Sequence, residues 1–312
     1  MPMHADPRRR VKLALALAAI YLIWGSSFLF TKIGVENLPP ALFAGARFLT
    51  AGGVLALVAR FWLGQPWPAG REFRHVLIAG LAMVFASNGL SIWSMQFLPS
   101  HEVALLNGTS ALWIAGLGTL GRRGHPLSAR AMLGLLVGFC GTALMLAPAA
   151  GSPSGPLTAK LGVLAGCFCW SLGTLYYRSV DTRFGPLMFV AGQMICGGAM
   201  LLAVGLASGE TARWHLSLPG LISLGYLTFV SSCFAYSAYG WLALNATPAV
   251  LGSYSYVNPA IATFLGWQFM HERLSRTQVA GMLVVFVGVL MLTTRSRRVT
   301  PGRSLQPRRT IT

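Results

Sequence analysis

Long apolar runs separated by short polar turns occupy most of this chain. Marked between charged, proline or glycine positions, these runs have about the 20 residues that a membrane-spanning helix needs. The pattern predicts ten spans, at residues 13–33, 40–62, 74–97, 102–120, 128–148, 158–178, 186–207, 218–243, 248–270 and 276–294. The fold class that we predict is therefore an all-α integral membrane protein.

Composition agrees with this pattern and changes how the net charge is interpreted. Of the residues, 54% are hydrophobic and 10% are charged, whereas a soluble domain carries about a quarter charged residues. The formal net charge of +17 is at first typical of a nucleic-acid-binding protein. However, the arginines cluster in tails and short loops, so we expect the lipid bilayer and no nucleic acid as partner. The five cysteines lie inside apolar runs without metal-ligand spacing, and we expect no metal and no cofactor.

The distribution of basic residues predicts the orientation in the membrane. If both termini are cytoplasmic, 18 of the 24 lysines and arginines fall on the cytoplasmic side. Positive charge is retained on that side of a membrane. We therefore predict a multi-pass protein of the cell inner membrane with both termini in the cytoplasm.

The two halves of the sequence resemble each other at nearly constant offsets. An offset of 146 pairs Trp24 with Trp170, Pro40 with Pro186 and Gly52 with Gly198. An offset of 147 pairs Ser128 with Ser275, Gly134 with Gly281 and Gly141 with Gly288. Coinciding Trp, Pro and Gly residues indicate an internal repeat better than Leu or Ala would.

The repeat predicts the domain organisation. Residues 1–12 form an N-terminal tail, 13–148 a first repeat, 158–294 a second repeat and 295–312 a basic C-terminal tail. Because each repeat has five spans, an odd number, the second must enter the membrane in the opposite direction. Inverted repeats are typical of secondary transporters that work by alternating access, so we predict a transporter of a small molecule.

Short motifs in both repeats resemble a known family. The stretch Ile23-Trp24-Gly25-Ser26-Ser27-Phe28, with Pro39-Pro40 and Arg47-Phe48 after it, is similar to the start of an EamA-type repeat of the drug/metabolite transporter superfamily. The second half is similar at Asn258-Pro259 and at His271-Glu272-Arg273-Leu274-Ser275. The resemblance covers residues 11–294. It implies ten helices in two EamA repeats and the export or exchange of metabolites such as amino acids, aromatic ones included.

The first repeat departs from the family pattern at two positions. Leu112 stands where Pro259 stands in the second repeat, and His125 takes the place of Glu272.

Polar and aromatic residues inside the spans are candidates for lining a substrate cavity. They share helix faces through spacings of three or four residues or are repeat counterparts of each other. The candidates are Trp24, Ser27, Arg47, Asn88, Ser91, Asn107, Trp170, Gln193, Tyr236, Tyr239, Tyr254 and Asn258. Arg47 lies roughly 10 Å below the start of its helix, and it either anchors a carboxylate or acts as a structural brace or snorkelling residue. Its counterpart Gln193 is neutral, so an anion anchor would be asymmetric.

The positions of the acidic residues bear on energy coupling. All seven map to tails, loops or helix ends, whereas proton-driven transporters often carry an acid or histidine within the membrane. We expect a facilitator or exchanger without coupling through a buried acid. His75 and His101 are expected to be interfacial.

Two other classes remain as alternatives to a transporter. An integral membrane enzyme would need a cluster of His, Asp or Glu at the membrane surface, and His101-Glu102 and His271-Glu272 are only pairs. A channel would show filter-like loops or charge rings. The sequence leaves the oligomeric state open, and a monomer is compatible with it.

Overall fold

The computed structural model describes residues 7–119, 128–146, 155–180, 184–246, 248–251, 253–273 and 275–293. Their regular structure is helical. The α-helices are α1 Pro7–Asn37, α2 Pro40–Leu57, α3 Phe73–Ala79, α4 Gly89–Ser94, α5 Ser100–Asn107, α6 Ser110–Leu117, α7 Ala129–Leu146, α8 Leu157–Ser179, α9 Pro186–Ala207, α10 Leu218–Gly225, α11 Tyr236–Asn245, α12 Pro248–Leu251, α13 Tyr254–Met270 and α14 Arg276–Thr293. Short 3₁₀ turns lie at Gly70–Glu72 and Glu210–Arg213.

Six helical stretches in the described residues are long and apolar enough to cross a membrane. They are Val11–Asn37, Pro40–Trp62, Gly70–Ser94, Leu157–Ser179, Pro186–Ala207 and Leu218–Asn245. Two shorter apolar helices cover Ala129–Met145 and Arg276–Met291. The prediction of an all-helical membrane protein is thus confirmed at this level.

Within the part of the chain that the structure describes, two of the ten predicted spans are interrupted by non-helical residues between two helices. Residues 102–120 fall on α5 and α6, which are separated at Gly108 and Thr109, and residues 248–270 fall on α12 and α13. A Cβ atom on Gly108 would lie 3.0 Å from the carbonyl oxygen of Ser255, so the two divided stretches cross closely at this point. Irregular backbone at membrane depth is tolerated where protein or a cavity surrounds it.

Glycines bring α2 and α9 into close contact. A Cβ on Gly52 would lie 2.9 Å from the amide nitrogen of Ile195, and one on Gly198 would lie 2.8 Å from that of Leu49, which is the counterpart of Ile195. Small residues at such crossings let two backbones approach, which strengthens van der Waals packing in lipid. The two glycines, which are 146 residues apart, therefore make equivalent contacts in the two halves of the chain.

The contact between α7 and α14 repeats this arrangement at the offset of 147. A Cβ on Gly141 would lie 2.7 Å from the amide nitrogen of Val285, and one on Gly288 would lie 2.5 Å from that of Gly138. Val285 is itself the counterpart of Gly138. Exchanging the two halves of the chain thus maps this helix pair onto itself.

Two basic side chains brace helix ends in equivalent ways. Lys32 Nζ donates to the carbonyl oxygen of Met95 at 3.0 Å, and Arg178 donates to the carbonyl oxygen of Ala243 at 2.9 Å. Lys32 and Arg178 are 146 residues apart, and their acceptors are 148 apart. The third and eighth predicted spans therefore correspond at an offset of 148 near these ends.

The same two spans contain widened π-helical turns at corresponding places. Gly80–Asn88 separates α3 from α4, and Tyr226–Ala235 separates α10 from α11. Such insertions displace side chains around the helix axis and are frequent at functional sites. Nothing in the hydrophobic pattern predicts them.

Hydrogen bonds at the helix ends define two faces of the bundle. Ser217 Oγ donates to Asn37 Oδ1 at 2.7 Å, which joins the end of α1 to the start of α10. We call this the upper face. Arg9 donates to the carbonyl oxygen of Asn245, which joins the start of α1 to the end of α11 on the lower face.

Candidate functional site

A cavity of about 130 Å³ lies between helices from both halves of the chain. On α1 its wall extends from Trp24 to Thr31, in the upper half of that helix, and at the upper end of the third span it includes Met95. On α8 the wall includes Trp170 and no residue closer to the lower face. The cavity therefore occupies the centre and the upper half of the bundle.

Aromatic rings form one wall around Trp24. Its ring centroid lies 5.7 Å from that of Trp170, 6.0 Å from Tyr236, 5.0 Å from Tyr239 and 5.5 Å from Tyr254. Most of these pairs are edge-to-face, the geometry that the ring quadrupole favours. The wall offers both ring faces for packing and hydroxyl groups for hydrogen bonding.

Arg47 carries a positive charge into the cavity. It is the only charged residue of the lining and is 5% exposed. Its Nε donates to Ser232 Oγ at 2.9 Å and its Nη2 to Ser231 Oγ at 3.2 Å, and its guanidinium lies 4.6 Å from the Phe48 ring centroid. Among the described residues no carboxylate lies within 4 Å of it. A buried arginine held only by neutral groups retains the capacity to pair with an anion.

Amide and hydroxyl groups on the lining also have unused hydrogen-bonding capacity. Asn88 and Asn107 donate from Nδ2 to backbone oxygens within their own helical stretches, at 2.7 and 2.9 Å. Asn258 Oδ1 and the Tyr236 hydroxyl are buried and find no hydrogen-bond partner in the described part of the chain. A polar solute in the cavity would satisfy both groups.

Ten of the twelve sequence candidates lie on this lining. They are Trp24, Ser27, Arg47, Asn88, Ser91, Asn107, Trp170, Tyr236, Tyr254 and Asn258. Tyr239 contributes its ring to the aromatic wall but is not on the cavity lining, and its hydroxyl lies 2.8 Å from Thr174 Oγ1. Gln193 lies on the buried side of α9, 2% exposed and away from the cavity.

Several lining residues were not singled out by the sequence. Ser231 lies in a π-helical segment, where the usual spacing of helical faces does not apply. Thr31 follows Ser27 by four residues and Ser255 precedes Asn258 by three, so extending each face along the helix could have found both. Small or apolar residues complete the lining: Phe28, Ser87, Ile92, Met95, Val103, Ala104, Gly108, Ser110 and Pro259.

Comparison with known proteins identifies the family. A model described as the EamA-like transporter family matches residues 11–147 and again residues 157–294. The chain belongs to the EamA-like transporter family. The resemblance found in the sequence motifs is thereby confirmed.

Relatives of this family member are similar over nearly their whole length. The Escherichia coli K12 protein called "Uncharacterized inner membrane transporter YedA" is 31% identical over 288 residues, 92% of each chain. The Bacillus subtilis protein called "Uncharacterized transporter YvbV" is 24% identical over 301 residues, covering 92% of this chain and 93% of that one. An Escherichia coli K12 protein called "Probable amino-acid metabolite efflux pump" is 24% identical over 289 residues, covering 88% and 92%. The protein is a membrane transporter of the EamA family.

A solved crystal structure shares the fold. It aligns with a TM-score of 0.65 at 21% sequence identity and covers 91% of this chain and 96% of its own.

The EamA-like turn at 271–275 contributes a carboxylate to the upper face. Glu272 accepts hydrogen bonds from the amide of Ser100 at 2.6 Å, the Ser100 hydroxyl at 2.9 Å and the amide of His101 at 3.2 Å, and His101 Nδ1 lies 2.7 Å away. Burial raises the pKa of the Glu272 carboxyl, but the hydrogen bonds from His101 and Ser100 outweigh burial and lower it from 4.5 to about 2. Glu272 therefore joins the turn after α13 to the start of α5 as a carboxylate.

A second buried pair lies next to this turn. Lys160 Nζ on α8 is 2.7 Å from Glu102 Oε1 in the first turn of α5, with the side chains 3% and 4% exposed. Glu102 and Glu272 lie at helix ends, as the sequence predicted. His101 lies at the same end of α5 and is 2% exposed. Its ring is buried because Glu272 holds it against the α5 terminus.

Proposed function

We propose that this EamA transporter carries an amino acid or a similar small carboxylate-bearing metabolite with an aromatic or apolar side chain. It does so by alternating access between two inverted five-helix repeats, as an exporter or exchanger of the inner membrane. The observation that carries this proposal is the unpaired guanidinium of Arg47, which shares one cavity with the aromatic wall around Trp24.

The chemistry of the lining supports this solute class. An arginine whose other partners are neutral hydroxyls can bind a carboxylate by donating two parallel hydrogen bonds to it. Tryptophan and tyrosine rings pack against another aromatic ring and also attract an ammonium group through their faces. Because no acidic residue lines the cavity, an amino group would be bound by aromatic faces and by acceptors such as Asn258 Oδ1.

The cavity volume supports a small solute. The cavity has a volume of about 130 Å³. A water molecule needs about 10–15 Å³ of a volume measured in this way, so the cavity holds roughly ten water molecules. A solute of about ten non-hydrogen atoms would replace them, which is the size of an amino acid with a ring or a branched side chain.

The paired helix contacts support the ten-helix inverted arrangement. Gly52 and Gly198 make equivalent contacts under exchange of the two halves, and so do Gly141 and Gly288. A two-fold relation of this kind lets one structural unit provide two alternating gates. With both termini in the cytoplasm, the upper face is the outer one, and the cavity occupies the outer half.

The names of two relatives bear on substrate and location. One relative is called an amino-acid metabolite efflux pump and another an inner membrane transporter. The lining has no acidic residue, which supports facilitated exchange without proton coupling through an acid in the site.

Counterflow in proteoliposomes tests the proposal. Purified protein is loaded with unlabelled L-phenylalanine, and uptake of labelled L-phenylalanine is measured against competing amino acids, decarboxylated amines and sugar phosphates. We expect competition by amino acids with large side chains and none by the amines, because the amines lack the carboxylate. Arg47→Gln should reduce counterflow at least tenfold, since a charge-assisted bidentate bond contributes on the order of 1.5–3 kcal/mol.

Arg60→Gln is the matched control, because Arg60 lies on the same helical stretch and is exposed. Equal counterflow by Arg47→Gln and Arg60→Gln, or inhibition by the amines, would contradict the proposed role of Arg47.

A further inference from the structure

The lower half of the bundle, beneath the aromatic wall, is closed by packed side chains. Thr174 and Tyr239 are hydrogen-bonded to each other and are 0% and 1% exposed. The ring of Tyr177 packs on Phe189 with centroids 4.6 Å apart. These residues close the path from the cavity to the lower face.

The residues that close the lower half are repeat counterparts of residues that line the cavity. The offset of 146 pairs Tyr177 with Thr31 and Gln193 with Arg47. The offset of 148, which the two basic braces establish for the third and eighth spans, pairs Tyr239 with Ser91. Thr31, Arg47 and Ser91 all line the cavity. Tyr177 and Tyr239 are larger than Thr31 and Ser91, so they fill space in the lower half where the upper half is open.

Two polar atoms in the closed half have no partner. The Tyr177 hydroxyl and Gln193 Oε1 are buried and without a hydrogen-bond partner among the residues that the structure describes. Their residues are 5% and 2% exposed. Polar groups left unpaired in a packed interior are rare because each one loses its bonds to water. Both groups would gain partners if the lower half opened.

We propose that Gln193 and Tyr177 form a second solute-contact site, which opens to the lower face when the upper half closes. This inference rests on the proposed alternating access. The ligand is the same carboxylate-bearing solute, but here neutral groups bind it: the Tyr177 hydroxyl donates to the carboxylate and Gln193 Oε1 accepts from the amino group, so no ion pair like that with Arg47 forms. The apparent affinity for an anionic solute is therefore lower from the lower face than from the upper one.

Thiol accessibility tests the site without any assumption about the solute. Gln193→Cys is placed in full-length protein in membrane vesicles of either orientation, and its labelling by a charged, membrane-impermeant methanethiosulfonate is followed by mass spectrometry. We expect labelling from the lower face at a rate at least tenfold above that from the upper face. Wild-type protein gives the background from the five native cysteines.

Met194→Cys is the matched control, because Met194 is the next residue on α9, is 0% exposed and does not correspond to a lining position. If Gln193→Cys is labelled no faster than Met194→Cys from either face, or faster from the upper face, the lower half is permanently packed and the proposal is overturned. If Gln193→Cys does not yield folded protein, the labelling of Thr174→Cys from the two faces is compared instead, because that substitution changes the side-chain volume less.

Side-specific transport separates this proposal from the proposed function. For L-phenylalanine, Gln193→Leu should raise KM at least threefold from the lower face and leave KM from the upper face unchanged. An equal rise from both faces would overturn the second site. If wild-type protein does not carry L-phenylalanine, the proposed solute class fails, and the labelling result still decides whether Gln193 becomes exposed.

Discussion

Individual polar residues in this protein have different kinds of partner in the cavity and at the upper edge. Arg47 is bound by two serine hydroxyls, and no carboxylate of the described residues lies within 4 Å of it. Glu272 and Glu102 instead have His101 and Lys160 beside them. The contacts at the upper edge hold α5 in place, whereas Arg47 is the charge that we propose binds a solute.

Glu272 should make stability dependent on pH. Its pKa in the folded protein, about 2, lies below the ordinary 4.5, so its contribution is complete above pH 4.5 and is lost as the pH falls towards 2. Linkage alone would give a contribution on the order of 3 kcal/mol, and solvent screening reduces it below that value. We expect Glu272→Gln to lower the thermal midpoint in detergent at pH 7, and the gap from wild type to shrink between pH 4.5 and 2.

Glu36→Gln serves as control, since the Glu36 side chain is 46% exposed beside Lys32 and such pairs contribute little. A gap between Glu272→Gln and wild type that stays constant over this pH range would contradict the assigned carboxylate role.

At the scale of helices, close packing through glycine and local widening of a helix both shape the bundle, and the π-helical segment Gly80–Asn88 itself packs closely on α9. The contact of α2 with α9 depends on glycine, whereas the third and eighth spans contain π-helical turns that carry Ser87, Asn88 and Ser231 to the cavity. The close contacts of α2 with α9 and of α7 with α14 join these helices in pairs. The widened turns present polar side chains that a regular helix would direct elsewhere.

Adjacent glycines on α2 allow a sharp test of this packing. A Cβ on Gly52 would lie 2.9 Å from a backbone oxygen of α9, whereas a Cβ on Gly53 meets nothing within 4 Å. Gly52→Ala should destabilise the protein by about 1–3 kcal/mol through overpacking. Gly53→Ala should be neutral or slightly stabilising, by up to about 1 kcal/mol, because alanine favours the helix. Thermal unfolding of both variants in the same detergent compares them, and similar midpoints would argue against a tight α2–α9 contact.

For the whole molecule, the distribution of charge predicts the orientation in the membrane, and this orientation predicts on which side of the membrane the cavity lies. Most basic residues fall on the lower face if both termini are cytoplasmic, as positive charge favours, and the cavity then occupies the outer half of the bundle. In that orientation, the conformation described would be the one in which solute is exchanged with the outside.

Reporter fusions in a bacterial host test this orientation. Alkaline phosphatase joined after Pro99, at the upper face, should be active because it is exported, and green fluorescent protein joined after Thr312 should fluoresce because it stays in the cytoplasm. The control exchanges the two reporters: green fluorescent protein joined after Pro99 should not fluoresce, and alkaline phosphatase joined after Thr312 should be inactive. Active phosphatase after Thr312 would reverse the assignment of the two faces.

The sequence by itself determined the helical class, the two-part repeat and the family. Apolar runs of about 20 residues are visible in the sequence because a helix that crosses lipid must satisfy its own backbone hydrogen bonds and expose apolar side chains. Family motifs such as residues 271–275 are visible because their residues are adjacent in the chain. Helical spacing also placed ten of its twelve candidates on the cavity lining, since residues three or four apart share a face whatever surrounds them.

Only the tertiary structure decided which of those faces meet. Arg47 and Gln193 are equivalent by the repeat, yet one lines the cavity and the other is packed away, because the two halves occupy different positions in this conformation. Glu272 and Ser100 are 172 residues apart, and nothing local indicates their contact. The divided helices and π-helical turns likewise depend on neighbouring helices, since an apolar run has the same pattern whether its helix is regular or interrupted.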